Sequence, residues 1–362
     1  MIMPSLIIAF LVSVSGFFPE FQPPSSGIGA ETAGGGVRAF SMGGVSAGMP
    51  DSNMVSGANP SASAWAVNTA LSWGTKVRNT QDISWSGASA FPDISMIVPL
   101  PYHIQFSALL SGRSRINKKD PIVFETGSGK VNWSGSSAES YMGLTARVSE
   151  HLAFSVGGKC FFGSALGDAV TKPNNPGIAI PLSTCYRDDL AFSPSWGAAF
   201  GAFVNTDRLS AGLSIVTDRS GSLGVQRDYM GGSSSDTTFQ YSVPGELFAG
   251  VSMRIIPRIA VGLDFYSRKA MHLLGKTTEE GSFAASGIEI NAGNGFRIRG
   301  GFRAMNGLWR DGATMYTGGL GYTIPGGRAS FDVGASYEVW GADLSETVVF
   351  ASIRASENWL GQ

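Results

Sequence analysis

Charge is scarce in this chain. Asp, Glu, Lys and Arg make up 15% of 362 residues and nearly cancel, leaving a formal net charge of -1. That balance provides no basic footprint for nucleic acid. Cysteine is scarcer still: Cys160 and Cys185 can form at most one bridge, and no CxxC or Cys/His cluster exists. The three histidines, His103, His151 and His272, fall in separate segments with no metal-ligand spacing, so neither metal nor cofactor is expected. Long apolar runs are missing beyond the N-terminus. The longest uncharged stretch of interest, residues 190–206, carries Pro194 and alternates Trp196, Ala198, Phe200, Ala202 and Val204, which argues for a strand over a spanning helix. The apolar core at residues 6–14 is too short to span a bilayer and reads as a secretory signal within a leader of residues 1–26. No cysteine precedes Cys160, so a lipoprotein anchor is not expected.

Catalytic motifs are equally thin. Residues 44–48 spell G-x-S-x-G, yet glycines precede them and Pro50 follows, where a nucleophile elbow needs a strand and a helix. Residues 274–277 resemble the end of a phosphate-binding loop, but Ala270 stands where its first glycine belongs. His103 shares a strand parity with Ser107 and Ser111, but a lone histidine is more often structural, and no enzyme is expected.

What the chain does have is glycine, 49 residues of it, and alternation. In residues 287–305, Ile288, Ile290, Phe296, Ile298, Phe302 and Ala304 share one parity. Glu289, Asn291, Arg297, Arg299, Gly301 and Arg303 share the other. Successive strand side chains point to opposite faces, so this is a hairpin with one apolar and one charged face, joined through an Ala-Gly-Asn-Gly turn. The pattern recurs along the chain. Leu71, Trp73 and Val77, Met142 and Leu144, Leu209 and Leu213, Val251 and Met253, Leu263 and Phe265, and Phe331 and Val333 all lie on apolar faces backed by polar ones. Six tight turns, near residues 101, 150, 206, 257, 293 and 326, alternate with longer connections, including polar stretches at 113–137, 159–189 and 218–236 that read as loops. Short turns at one end and long loops at the other, with apolar outer and polar inner faces, predict an all-β transmembrane antiparallel barrel of about 14 strands. An even count returns the last strand beside the first and leaves no edge exposed. Trp65, Tyr102, Trp196, Tyr322, Tyr337 and Trp340 fall near strand ends and suit aromatic girdles.

The inward charges admit two readings. Arg297, Arg299 and Arg303 face the same way as Glu289 and Asp264. They can form a salt-bridge ladder that fixes the lumen, or an anion site for a substrate carboxylate, since guanidinium binds carboxylate in bidentate fashion.

Residues 34–65 lack sustained alternation and are crowded with Gly, Ser, Asn and Pro, which reads as irregular backbone. Within them, Arg38-Ala39, Met42-Gly43-Gly44, Asp51 and Asn59-Pro60-Ser61-Ala62 follow in an order and spacing that resembles the N-terminal signature of the FadL-type fatty-acid-transporter superfamily of outer-membrane barrels. Val37, Val45 and Ser61 depart from that signature. The resemblance implies a plug at residues 27–65, closing the lumen of a barrel formed by residues 66–362. It places Arg38, Met42, Gly43, Gly44, Asp51, Asn59 and Pro60 in the plug or gate. Turn chemistry alone also accounts for these residue types, as a packed plug without ligand contact. The resemblance further implies the outer membrane of a diderm bacterium, contact with its lipid, and passive uptake of hydrophobic small molecules. PorV-type barrels share the signature, so a non-transporting scaffold with secreted-protein partners is the alternative.

Overall fold

The structure is a computed structural model. It describes residues 36–357 apart from 52–53, 83–84, 125–126, 174–185, 230–233, 270–271, 274–275, 278–279, 308–311 and 341–343. The leader at 1–26, the first plug residues and Cys185 lie outside the described residues.

Strand alternation produces one continuous antiparallel sheet. Its members are β1 (Thr69–Asp82), β2 (Trp85–Leu100), β3 (Ile104–Phe124), β4 (Gly127–Arg147), β5 (Leu152–Pro173) and β6 (Tyr186–Asn205). Four interrupted strands follow: β7 (Leu209–Val216 and Arg219–Tyr229), β8 (Ser234–Val243 and Glu246–Ile256), β9 (Ile259–Arg268 and His272–Leu273) and β10 (Lys276–Thr277 and Gly281–Gly293). The chain finishes with β11 (Phe296–Gly307), β12 (Thr314–Thr323), β13 (Ala329–Trp340) and β14 (Leu344–Glu357). Each strand pairs with the next, and β14 returns to β1 through Thr69↔Glu357 and the pairs beyond it. The result is a closed barrel of 14 strands, with every wall strand flanked on both sides. Among the described residues no helix is long and apolar enough to cross a membrane.

The two faces separate as the alternation predicts. Ile298 is 48% exposed on the outside, while its neighbour Arg299 is 4% exposed within. The six expected turns are present at one end. One of them, Gly293-Asn294-Gly295, has all three residues at positive φ, where Asn and Gly are tolerated.

At the other end the structure departs from the loops expected at 113–137, 159–189 and 218–236. Much of each is strand. β3 and β4 stay paired from Ile104↔Ala146 to Phe124↔Gly127, and β5 runs 22 residues, where about 9–11 span a bilayer. Polar residues on both faces broke the apolar alternation there, because a wall standing beyond the hydrocarbon has no apolar face to keep. Trp65 also departs from its expected girdle position. It points into the barrel, stacks at 5.7 Å on the buried Phe203 and donates Nε1–H to the Glu150 carbonyl. Outward Trp196, nine residues above the β6 turn, does suit a girdle.

Candidate functional site

The described residues between 36 and 66 fill the lumen near the turn end. A short helix, α1 (Gly36–Ser41), packs against β11 to β14, and a 3-10 turn (Pro60–Ser63) packs against β4, β5 and β6. The Asn-Pro pair has a local cause. Asn59 caps the turn by accepting from the Ser61 N–H, Pro60 takes the first helical position, and the Asn59 amide donates to Ala47 O and to Ala202 O of β6.

The plug backbone touches the wall directly because the wall is bare at that level. Inward glycines lie opposite one another across successive strands: Gly212↔Gly250, Gly262↔Gly287↔Gly301 and Gly319↔Gly334. A Cβ on Gly301 would lie 2.1 Å from Met42 C, and one on Gly250 2.4 Å from Gly48 N. On the plug side Gly43, at φ 74, would meet Phe302 O at 2.5 Å. This belt accounts for much of the inward glycine.

Charges fasten what the glycines admit. Arg38 donates Nε–H and Nη2–H to the two Glu289 oxygens, each at 2.9 Å, and sits 3.3 Å from Asp51 and 2.9 Å from Pro50 O. Arg299 continues the chain to Glu289 at 2.8 Å and to Asp332 at 2.5 Å. Burial alone would lower the Arg38 pKa, but Glu289 and Asp51 outweigh it and hold the guanidinium above its ordinary value. Asp264 accepts from three consecutive plug amides, Ser46 (2.6 Å) and Ala47 (2.5 Å) on one oxygen and Gly48 (3.1 Å) on the other. Arg303 donates to Gly43 O at 2.7 Å and lies over the Phe283 ring. Gly43 N–H donates to Thr317 Oγ1. The structure therefore brings Arg38, Asp51, Glu289 and Arg299 into one ladder, gives Asp264 and Arg303 to the plug backbone, and leaves Arg297 outside both.

Farther from the turns the inner wall holds features the alternation did not reveal. Phe248, Tyr266, Phe283 and Met305 are cross-strand neighbours on the polar parity. Tyr266 stacks on Phe283 at 4.8 Å and meets Phe248 in a tilted contact at 4.7 Å, and the row meets Met42, Val45 and Met49 of the plug in one buried apolar cluster. Beside it, Lys159 bridges Glu139 and Glu246 at 2.7 Å each, and Arg219 binds Glu139 at 2.8 Å. The polar neighbourhood of Arg219 reads as a loop, and only the paired strands show it to be 1% exposed. The β6–β7 ladder lapses between Phe192↔Leu223 and Ala199↔Val216, around Pro194, which has no N–H to give.

The histidine reading finds no support in the geometry. His103 is exposed at a turn with its ring on Arg147, while Ser107 and Ser111 are buried, Ser111 against Asp93. Cys160 is buried and, among the described residues, joined to no other cysteine. Among the described residues no group of three His, Cys, Asp or Glu side chains is placed to hold a metal.

No family model and no curated protein matches the sequence. Solved structures do match. A FadL homologue from Pseudomonas aeruginosa superposes with a TM-score of 0.66 at 12% identity, covering 90% of this chain and 99% of that one. The CymD monoaromatic hydrocarbon channel gives 0.63 at 14%, with 90% and 98% covered. The Pseudomonas putida toluene transporter TodX gives 0.61 at 14%, with 91% and 100% covered. At these identities the likeness speaks for the fold, and each of these neighbours is a channel, a transporter or a FadL homologue and not an enzyme. With the closed barrel and its lumen plug, it gives the chain the fold of the FadL-type outer-membrane barrels.

Proposed function

We propose that this protein admits hydrophobic small molecules across the outer membrane of a diderm bacterium, with the N-terminal plug as the gate. The observation that carries the reading is the row Phe248, Tyr266, Phe283 and Met305, an apolar row along the inner wall that ends on Met42, Val45 and Met49 of the plug. A polar-solute porin has no use for such a row, whereas an apolar ligand that takes the place of the plug against it gains about 25 cal/mol for each Å² it buries. Arg38–Glu289 and the Asp264 cradle are the contacts that must open for the ligand to pass. The hydrocarbon substrates named for CymD and TodX support the same class of ligand here. The test is uptake of a radiolabelled monoaromatic hydrocarbon by cells expressing the full chain, against cells carrying an empty vector. Faster uptake than the vector control supports the reading. Vector-level uptake together with co-purification of exported proteins would replace it with the secretion-scaffold alternative, for which the tall β3–β8 wall would be the docking face.

A further inference from the structure

Below the plug, at the turn end, lies a cavity of about 640 Å³, within the range of small-molecule sites. Two of its arginines, Arg38 and Arg299, are neutralised by the ladder of Asp51, Glu289 and Asp332. Five more face the same space: Arg208, Arg254, Arg258, Arg297 and Arg354. Against them stand only the Glu150 and Asp207 carboxylates among the remaining lining residues. None of the five is within ion-pair distance of a carboxylate among the described residues; Arg254 reaches only the Asp207 carbonyl, at 3.4 Å. The Nε of Arg354 is buried with no hydrogen-bond partner, a costly arrangement for a donor on a cation. Met49, Met54 and Trp65 supply apolar surface to a lining that also carries Ser72, Ser210, Ser252 and Asn291.

We propose that this cavity binds an organic carboxylate with a small apolar body. Guanidinium presents parallel N–H donors that match the two carboxylate oxygens, so Arg297 and Arg354 would take the head group and satisfy the orphaned Nε. Trp65, Met49 and Met54 would cover the body, since thioethers and aromatic rings adapt to irregular apolar shapes. The site goes beyond the uptake reading. It lies on the opposite side of the plug from the apolar row, and its equilibrium binding does not depend on whether the barrel transports.

Isothermal titration calorimetry on the purified full chain in non-ionic detergent tests this. Sodium benzoate is the probe, benzyl alcohol the neutral analogue and inorganic phosphate the anion without an apolar body. Saturable benzoate binding is expected, with each comparison compound at least about ten-fold weaker, the order expected for losing one charge-assisted contact or the apolar cover. Arg297→Gln with Arg354→Gln should weaken benzoate at least about ten-fold, whereas Arg187→Gln, paired with Asp168 at the far end, should not. If the double variant fails to fold, Arg254→Gln on the exposed rim should still weaken binding. Equal binding of benzyl alcohol, equal binding of phosphate, indifference to the arginine variants, or no benzoate binding would each overturn the proposal.

Discussion

Arg38 and Glu289, 251 residues apart, meet through two parallel hydrogen bonds of 2.9 Å that tie the plug helix to the barrel wall. The pair is only partly shielded, at 21% and 13% side-chain exposure, so its loss should cost less than the roughly 3–5 kcal/mol of a fully buried pair. Arg38→Ala should leave barrel assembly intact, judged by heat-modifiable mobility on gels, while raising ion conductance in planar bilayers. Unchanged conductance would show that the plug does not depend on this contact.

Asp264 is expected to matter more for plug order. Hydrogen bonds to a charged acceptor contribute about 1.5–3 kcal/mol each, and Asp264 receives three. Asp264→Ala should expose residues 40–60 to limited proteolysis while the barrel core stays resistant. An unaltered cleavage pattern would contradict the cradle.

The glycine belt makes a steric prediction with its own control. A Cβ at Gly250 would sit 2.0 Å from Asp264 Oδ1 and 2.4 Å from Gly48 N, whereas one at Gly224 meets nothing nearer than 3.9 Å. Gly250→Val should expel the plug and raise conductance, and Gly224→Val should behave as wild type. Similar behaviour of the two would mean that the plug does not seat against the wall.

Val251 and Ser252 test the assignment of faces. Val251 is 47% exposed on the outer surface, and Ser252 lines the turn-end cavity. Val251→Arg should destabilise the barrel by about 2–4 kcal/mol in urea titrations in lipid, the cost of a cation near mid-bilayer. Ser252→Arg, one residue on, points into the turn-end cavity and not into lipid, and should cost far less. The reverse order would invert the barrel.

The barrel was legible because its outer face must be apolar on every strand, so Leu71, Leu213 and Val333 announce it through a period of two. The plug was legible through Arg38, the glycine pair at 43 and 44 and Asn59-Pro60, whose spacing resembled a known signature. The partners of these residues were not. Glu289 appeared beside Arg299 by hairpin register, but its bond to Arg38 depends on how the plug folds back, which no local period encodes. The row of Phe248, Tyr266 and Phe283 was hidden because its members come from three strands, and only the register of those strands brings them side by side. The tall strands from β3 to β8 were hidden for the opposite reason, since beyond the hydrocarbon neither face has to be apolar.

Whether the plug is the gate can be measured on one protein before and after a single reaction. In a background with Cys160 and Cys185 replaced by serine, Arg38→Cys with Glu289→Cys removes the ion pair and places two thiols on the turn-end cavity. A short thiol-reactive cross-linker then rejoins plug and wall. Hydrocarbon uptake by cells expressing this variant should be fast before cross-linking and fall to the empty-vector level after it. Equal uptake before and after, with the cross-link confirmed by mass spectrometry, would show that the ligand does not pass by moving the plug.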